Sequence, residues 1–464
     1  MNYTFKVFLI LVLIFTLSCA STKSSKSQFA GINEKLVSHD YQGALKQIEA
    51  TKEKSYKKKE KALYYVDVGM LYHYNGNFEQ SNTLLSKAEN AFDELYTKSI
   101  GRGAASMLLN DNVLEYSGED YEDVYLNVFK ALNYVELDKF DDAFVEIRKI
   151  NEKLSLLEQK HKKMAKQYNS SKDKKKNFET GKNKFHNSAL GRYLSMLLYR
   201  AEGKMDDARI DKEKIDEAWQ LQSHIYNFSK PSLNNYLTRT NKAKINVISF
   251  TGRAPDKKAN TLYIHTEKDL VIIGTTKENP RGKQNLETLD LINWKDIKKG
   301  YHFKFQLPHL KTRKSNIGRI EVLIDGITAT DLQQIEDIEK VALETFKIKE
   351  PLIYLKTITR TILKGLFAAK RKQEMEKKIN NDLLGFVARL ATDAIVDATE
   401  NADLRISRFF PAKTSVTEIE VTPGMHNIKV KYYSHNGTVL FVDDIGDQNI
   451  SKSELNLFES FYLN

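Results

Sequence analysis

An α+β fold is predicted: an array of helical hairpins over 30–235, then a β-rich domain with a helical segment over 241–464. Three observations carry this. Small residues recur in the first half with apolar partners at fixed offsets. Near Asn241 the apolar periodicity changes from that of a helix to two. The 464 residues are more than one hydrophobic core usually serves. Charged residues at 29% and apolar residues at 41% give the balance of an ordinary soluble globular chain.

Residues 1–19 read as an export signal ending in a lipid acceptor. Lys6 precedes an apolar run, 7–15, shorter than the roughly 20 residues that span a bilayer but as long as a secretory signal core. Ser18 is the small residue before Cys19, and Thr16 stands where the bacterial lipobox prefers Leu. Cleavage and acylation at Cys19, with palmitate-class chains, would anchor the chain to a membrane of a bacterial cell envelope, on the exported side. Cys19 is the only cysteine, so no thiol remains for a disulfide, a redox couple or a cysteine-ligated metal. Residues 20–29 follow as a small, polar, flexible tether.

The helical half repeats a pattern aligned on Ala44, Ser81, Ala143 and Ala208. Three positions earlier stand Tyr41, Phe78, Phe140 and Met205; five earlier, His39, Gly76, Asp138 and Gly203. Nine earlier stand Tyr72, Tyr134 and Tyr199, and twelve earlier Gly69, Ala131 and Met196. This is the grammar of a tetratricopeptide repeat, in which small residues let two antiparallel helices approach and large ones fill the space beside them. The anchors are spaced more widely than the roughly 34 residues of the standard unit, so extra segments intervene near 95–124 and 154–188. The second, a lysine-rich insertion, is expected to add two projecting helices.

The net charge of +11 is densest at 160–184, ten lysines against Asp173 and Glu179. Two readings stand: a solvated hairpin tip, or a patch resting on anionic lipid headgroups at about 1 kcal/mol per charge. An exported chain rarely meets nucleic acid, so none is expected as a partner.

Between the second and third anchors runs Asn110-Asp111-Asn112-Val113-Leu114-Glu115-Tyr116-Ser117-Gly118-Glu119-Asp120-Tyr121-Glu122, then Ala131-Leu132-Asn133-Tyr134 and Ala143-Phe144-Val145-Glu146-Ile147-Arg148. Near the end stand Thr399-Glu400-Asn401-Ala402-Asp403-Leu404-Arg405 and Pro411-Ala412. On these residues the chain resembles a group of uncharacterised bacterial tetratricopeptide-repeat lipoproteins, more loosely in the central β region and the lysine-rich insertion. The resemblance implies an envelope lipoprotein and brings no particular reaction with it.

Read physically, Tyr116-Ser117-Gly118-Glu119 is a turn, with Gly118 free to take a positive φ and Asp120 or Glu122 favourably placed at the next helix start. The functional reading makes Asn110, Asp111, Tyr116, Glu119 and Glu122 a polar, partner-binding surface on the inner face of the array, where repeat proteins hold peptides. Glu400, Asp403 and Arg405 read as a local ion-pair set.

In the second half, 244–250, 261–265, 269–273, 301–307 and 319–324 read as strands, and 253–255 and 279–282 as loops. Helix is expected from Asp331 to about Asp403, with small-residue apolar faces at 363–370 and 383–391. Three strands close the chain, at 416–421, 428–433 and 438–442; Asn436-Gly437 marks a hairpin between the last two.

No phosphate loop, zinc helix or nucleophile elbow occurs. The ten histidines lack metal-ligand spacing, the closest being His302 and His309. No metal, cofactor or catalytic residue is assigned. The expected function is a lipid-anchored scaffold that holds an envelope protein or peptide in the groove of the array. The alternative is an envelope hydrolase or wall-modifying enzyme with a polar site near 110–122.

Overall fold

Four times in the first half a helix ends on a left-handed residue and the next begins within three residues. In the computed structural model, which describes residues 29, 31–101, 109–170, 179–278, 284–378 and 401–464, the pairs are α1 (Ile32–Val37) and α2 (Tyr41–Ser55), α3 (Lys61–Tyr74) and α4 (Phe78–Gly101), α5 (Asp120–Glu136) and α6 (Phe140–Asn169), α7 (Ala189–Ala201) and α8 (Met205–Leu221). The left-handed residues are His39, Gly76, Asp138 and Gly203, with φ of 60°, 73°, 56° and 75°. In each turn the next N–H reaches back to a carbonyl five residues earlier, on Lys35, Tyr72, Tyr134 or Tyr199, always at 2.8 Å. That bond satisfies a carbonyl the helix end would otherwise leave open. The anchors Ala44, Ser81, Ala143 and Ala208 are fully buried. At Gly69 an added Cβ would come within 2.8 Å of Leu85, so α3 and α4 touch where only hydrogen fits.

Cys19, the apolar run and the tether to Gln28 lie outside the described residues, as do 279–282 and 383–391. The insertion expected to add two helices contributes one among the described residues: α6 simply runs on to Asn169, and 179–188 is irregular.

The second half holds β1 (Ala243–Thr251), β2 (Asp256–Glu267), β3 (Leu270–Glu278), β4 (Gln284–Asn293), β5 (His302–Lys311), β6 (Ile317–Ile324), β7 (Ile327–Asp331), β8 (Gln333–Asp337), α9 (Ile338–Lys378), β9 (Lys413–Val421), β10 (Gly424–Ser434), β11 (Val439–Ile450) and β12 (Asn456–Tyr462). They form three four-stranded sheets, ordered β12-β1-β9-β8, β11-β10-β6-β7 and β4-β3-β2-β5. The helix expected from Asp331 starts only at Ile338, because 333–337 pairs antiparallel with β9. Four strands, not three, close the chain; the last, β12, runs parallel to β1.

Strand β1 explains how the halves join. Alternate side chains of a strand face opposite ways, and here both faces are covered. Ala243, Ile245 and Val247 pack with Val322, Ile428, Val430 and Tyr432 of the second sheet, making a sandwich. Ile248 and Phe250 point the other way and join one core with α3, α5 and α7. Phe250 lies 5.1 Å from the Phe129 ring, and Phe461 of β12 lies 4.9 Å from Tyr74. The third sheet packs Ile264, Ile273 and Phe305 against Ile358 and Ile362 of α9.

Candidate functional site

The five predicted site residues converge on one surface, and the chain's own 401–412 segment lies against it. Asn110 caps a single 3-10 turn, Asp111–Val113, by accepting from the Asn112 N–H at 2.9 Å. That turn presents Asn112, whose Nδ2 donates to the carbonyls of Asn401 at 2.7 Å and Ala402 at 3.0 Å. Arg405 donates to the carbonyls of Leu114 at 2.9 Å and Asp111 at 2.8 Å, while Asp403 holds its guanidinium at 2.7 Å. The Tyr116 ring lies 5.5 Å beneath that guanidinium. The Asp403–Arg405 pair is the local ion pair expected from the sequence; Glu400 is outside the described residues.

Glu122 forms the floor. Its Oε2 accepts from Tyr116 Oη at 2.6 Å and from the Glu119 N–H at 2.9 Å, closing a capping box at the start of α5. Its Oε1 accepts from the Ser407 N–H at 2.7 Å. Ser407 Oγ then donates to Asp67 Oδ1 at 2.7 Å, and Tyr56 Oη donates to the other Asp67 oxygen at 2.8 Å. Burial pushes the Glu122 carboxyl up to about 7, and the nearby Glu119 charge adds to this against the hydrogen bonds that pull it down. Burial likewise raises Asp67 to about 7, against the bonds from Ser407 and Tyr56.

Glu119 turns the other way, gripped by Lys257 of β2 and Lys349 of α9. Lys257 also donates to the Arg405 carbonyl at 3.0 Å. Asp111 pairs with Lys356 of α9 at 3.3 Å. Gly118 serves the turn read from the sequence: its φ is 78°, and a Cβ there would enter the Phe92 ring at 2.6 Å.

The turn and cap predicted at 116–122 are present. Asn112, Tyr116 and Glu122 contact the chain's own 401–407 segment, while the Asp111 and Glu119 side chains pair with lysines of β2 and α9. Glu122 and Asp67 are buried and need donors; Ser407 and Arg405 supply bonds to this surface that an outside peptide would have to replace. Beyond the patch the segment continues into the core, where Tyr74 Oη donates to the Phe409 carbonyl at 2.6 Å and Phe410 packs on Tyr121 and Phe129.

Sequence reasoning missed Asp67, Lys257, Lys349 and Ser407, which reach the patch from distant parts of the chain. A charged Asp67 in the otherwise apolar 62–71 stretch was the available signal. His302, which the sequence leaves unpaired, sits across the ladder from His265, with Nδ1 atoms 3.3 Å apart. Among the described residues no group of three or more His, Cys, Asp or Glu is arranged to hold a metal ion, and no helix is long and apolar enough to cross a membrane. No protein-family model, curated protein or solved structure matches the chain.

Proposed function

We propose that this chain is a lipid-anchored, protein-binding scaffold of a bacterial envelope, its hairpins tetratricopeptide-like repeats and its anchor an acylated Cys19. The observation that carries the reading is the four-fold recurrence of one helix closure, at His39, Gly76, Asp138 and Gly203, in an array that holds an extended segment by side-chain contacts. Because that segment is the chain's own, partners meet the assembled body. On the array a cleft of about 370 Å³ stays open, lined by Glu49, Tyr64, Val68, Tyr72, Glu79 and Leu84 among others. Against the hydrolase alternative stands Glu122: it is buried, and its two oxygens already accept from Tyr116, the Glu119 N–H and the Ser407 N–H.

Two experiments test this. Cys19→Ala should abolish lipid incorporation and release the protein from membranes; retention without lipid defeats the anchor. Mild crosslinking in cells, followed by purification and mass spectrometry, should give a reproducible envelope partner whose yield falls for Thr83→Arg, an exposed position in the cleft. No partner, or an unchanged yield, defeats the scaffold with this binding face.

A further inference from the structure

Where the helical array and the sheets meet, three arginines surround one carboxylate. Arg253 lies between β1 and β2, Arg313 between β5 and β6, Arg408 in the 401–412 segment, and Asp256 opens β2. Asp256 Oδ1 is 3.6 Å from Arg408 Nη2 and 3.9 Å from Arg313 Nη2, distances that allow charge attraction but no hydrogen bond. Its other oxygen accepts from Lys258 at 2.7 Å. Four buried polar atoms here have no hydrogen-bond partner: Arg253 Nε, Arg313 Nη2, Tyr121 Oη and Asp256 Oδ1. Buried donors and acceptors are rarely left so, since each loses its water without replacement.

The charge count points the same way. Three guanidinium groups face Asp256, and Asp67 also acts on Arg408, which leaves one positive charge; Lys258 adds a second. Burial, with repulsion from Arg253 next, lowers Arg313 to about 10, so it still carries its proton at neutral pH. Burial and the charges of Glu122 and Glu119 raise the Tyr121 hydroxyl, with Arg313 acting against them, so the tyrosine feels the cluster's charge. Arg253, whose Nη1 donates to Asn33, also lines a cleft of about 500 Å³ between α1 and the sandwich, with Asn33, Glu34, Phe441 and Tyr462.

We infer that this cluster holds a singly protonated phosphate group, its oxygens accepting from Arg253 Nε, Arg313 Nη2 and Tyr121 Oη and its P–OH donating to Asp256 Oδ1. The mixture of orphans decides the ligand. Three donors and a surplus of positive charge call for an anion, and guanidinium geometry suits phosphate oxygens. The lone acceptor requires that the anion also carry a hydrogen. Hydrogen phosphate and a phosphomonoester headgroup satisfy both demands. Sulfate, which has no proton at neutral pH, would set an oxygen against Asp256.

The test is thermal unfolding of the full-length protein in detergent, followed by tryptophan fluorescence, with inorganic phosphate or sulfate at matched ionic strength. A parallel series uses micelles doped with phosphatidic acid. Phosphate or the doped micelles should raise the midpoint saturably, and sulfate should need about tenfold more for the same shift. A response to phosphate assigns the free ion, and a response to the doped micelles alone assigns a lipid headgroup. Arg313→Gln should lose the shift. Asp256→Asn should keep binding but lose the preference over sulfate, because an amide donates to either anion; near-isosteric, it carries the test should Arg313→Gln fail to fold. No saturable shift in any series, or sulfate equalling phosphate in the unsubstituted protein, overturns the assignment.

Discussion

Asp67→Asn should stabilise this protein, and by more at alkaline than at acid pH. Asp67 is fully buried, and both its partners are hydroxyls, Tyr56 Oη and Ser407 Oγ; these can rotate to suit an amide. Its carboxyl titrates near 3.8 when exposed and is raised to about 7 in the fold. With the folded value raised, its contribution is fully present below about pH 4 and is lost as pH rises through 7. Each unit is worth about 1.4 kcal/mol, so the fold loses about 2 kcal/mol by pH 5 and about 4 kcal/mol by pH 8 relative to a neutral side chain. Any fixed difference between Asp and Asn cancels when the two pH values are compared. Urea unfolding at pH 5 and pH 8 should show the variant's advantage growing by about 2–3 kcal/mol. An advantage that stays constant or shrinks with rising pH would refute a buried, proton-holding Asp67.

Three further substitutions probe other parts of the fold. Gly118→Ala should cost about 2 kcal/mol or more, since φ is 78° and the new Cβ meets the Phe92 ring; denaturant midpoints check this. Asp138→Gly should gain about 0.5 kcal/mol, because Asp138 holds φ 56° at a hairpin closure where its sequence counterparts Gly76 and Gly203 are glycine; a lowered midpoint counts against the shared closure. Lys130→Met should cost about 3 kcal/mol by leaving Glu89 and Glu146, which Lys130 meets at 2.8 and 3.0 Å, short of a buried partner. Burial pushes Glu89 up, but Lys153 and Lys130 outweigh it and hold it below the usual carboxylate range. This pair therefore loses stability as pH falls through Glu89's lowered folded value, opposite in sign to Asp67, and unfolding of Lys130→Met across acid pH should show that loss reduced.

The hairpins were legible because their signals are local. A glycine, Asp or His at the closure, a small residue five positions on and an apolar or aromatic residue three before that small one all lie within a few residues of each other, and all four sites carry the same bond. Strands of alternating apolar pattern were equally plain, as at β1 and β2. What escaped was set by pairing at a distance. Gln333-Gln334-Ile335-Glu336-Asp337 has no strand pattern of its own and becomes β8 only because β9 lies beside it. β12 follows from a parallel partner more than 200 residues away. Within the site, Asn110, Glu119 and Glu122 stand out as a polar run, but nothing in 110–122 tells that Glu122 takes the Ser407 N–H, that Glu119 meets Lys257 and Lys349, or that Arg405 reaches the carbonyls of 111 and 114.

That pairing changes what the two motif-bearing segments mean. Read along the chain, the Asn110–Glu122 run and the Asn401–Arg405 run look like two separate marks, each open to a partner of its own. In the fold they are the two sides of one contact: the 3-10 turn at 111–113 takes carbonyls of 401 and 402, Arg405 takes carbonyls of 111 and 114, and Glu122 takes the N–H of 407. Most of these bonds involve backbone groups on one side, so they fix the path of the segment more than the identity of each residue. Where side chains meet side chains, as at Ser407 and Asp67 or Lys257 and Glu119, burial raises the cost of any mismatch. The segment then leads directly into β9, whose place beside β1 sets the sheet that covers the array. This contact, with the core around Phe250 and Phe461, thus also joins the helical half to the β half.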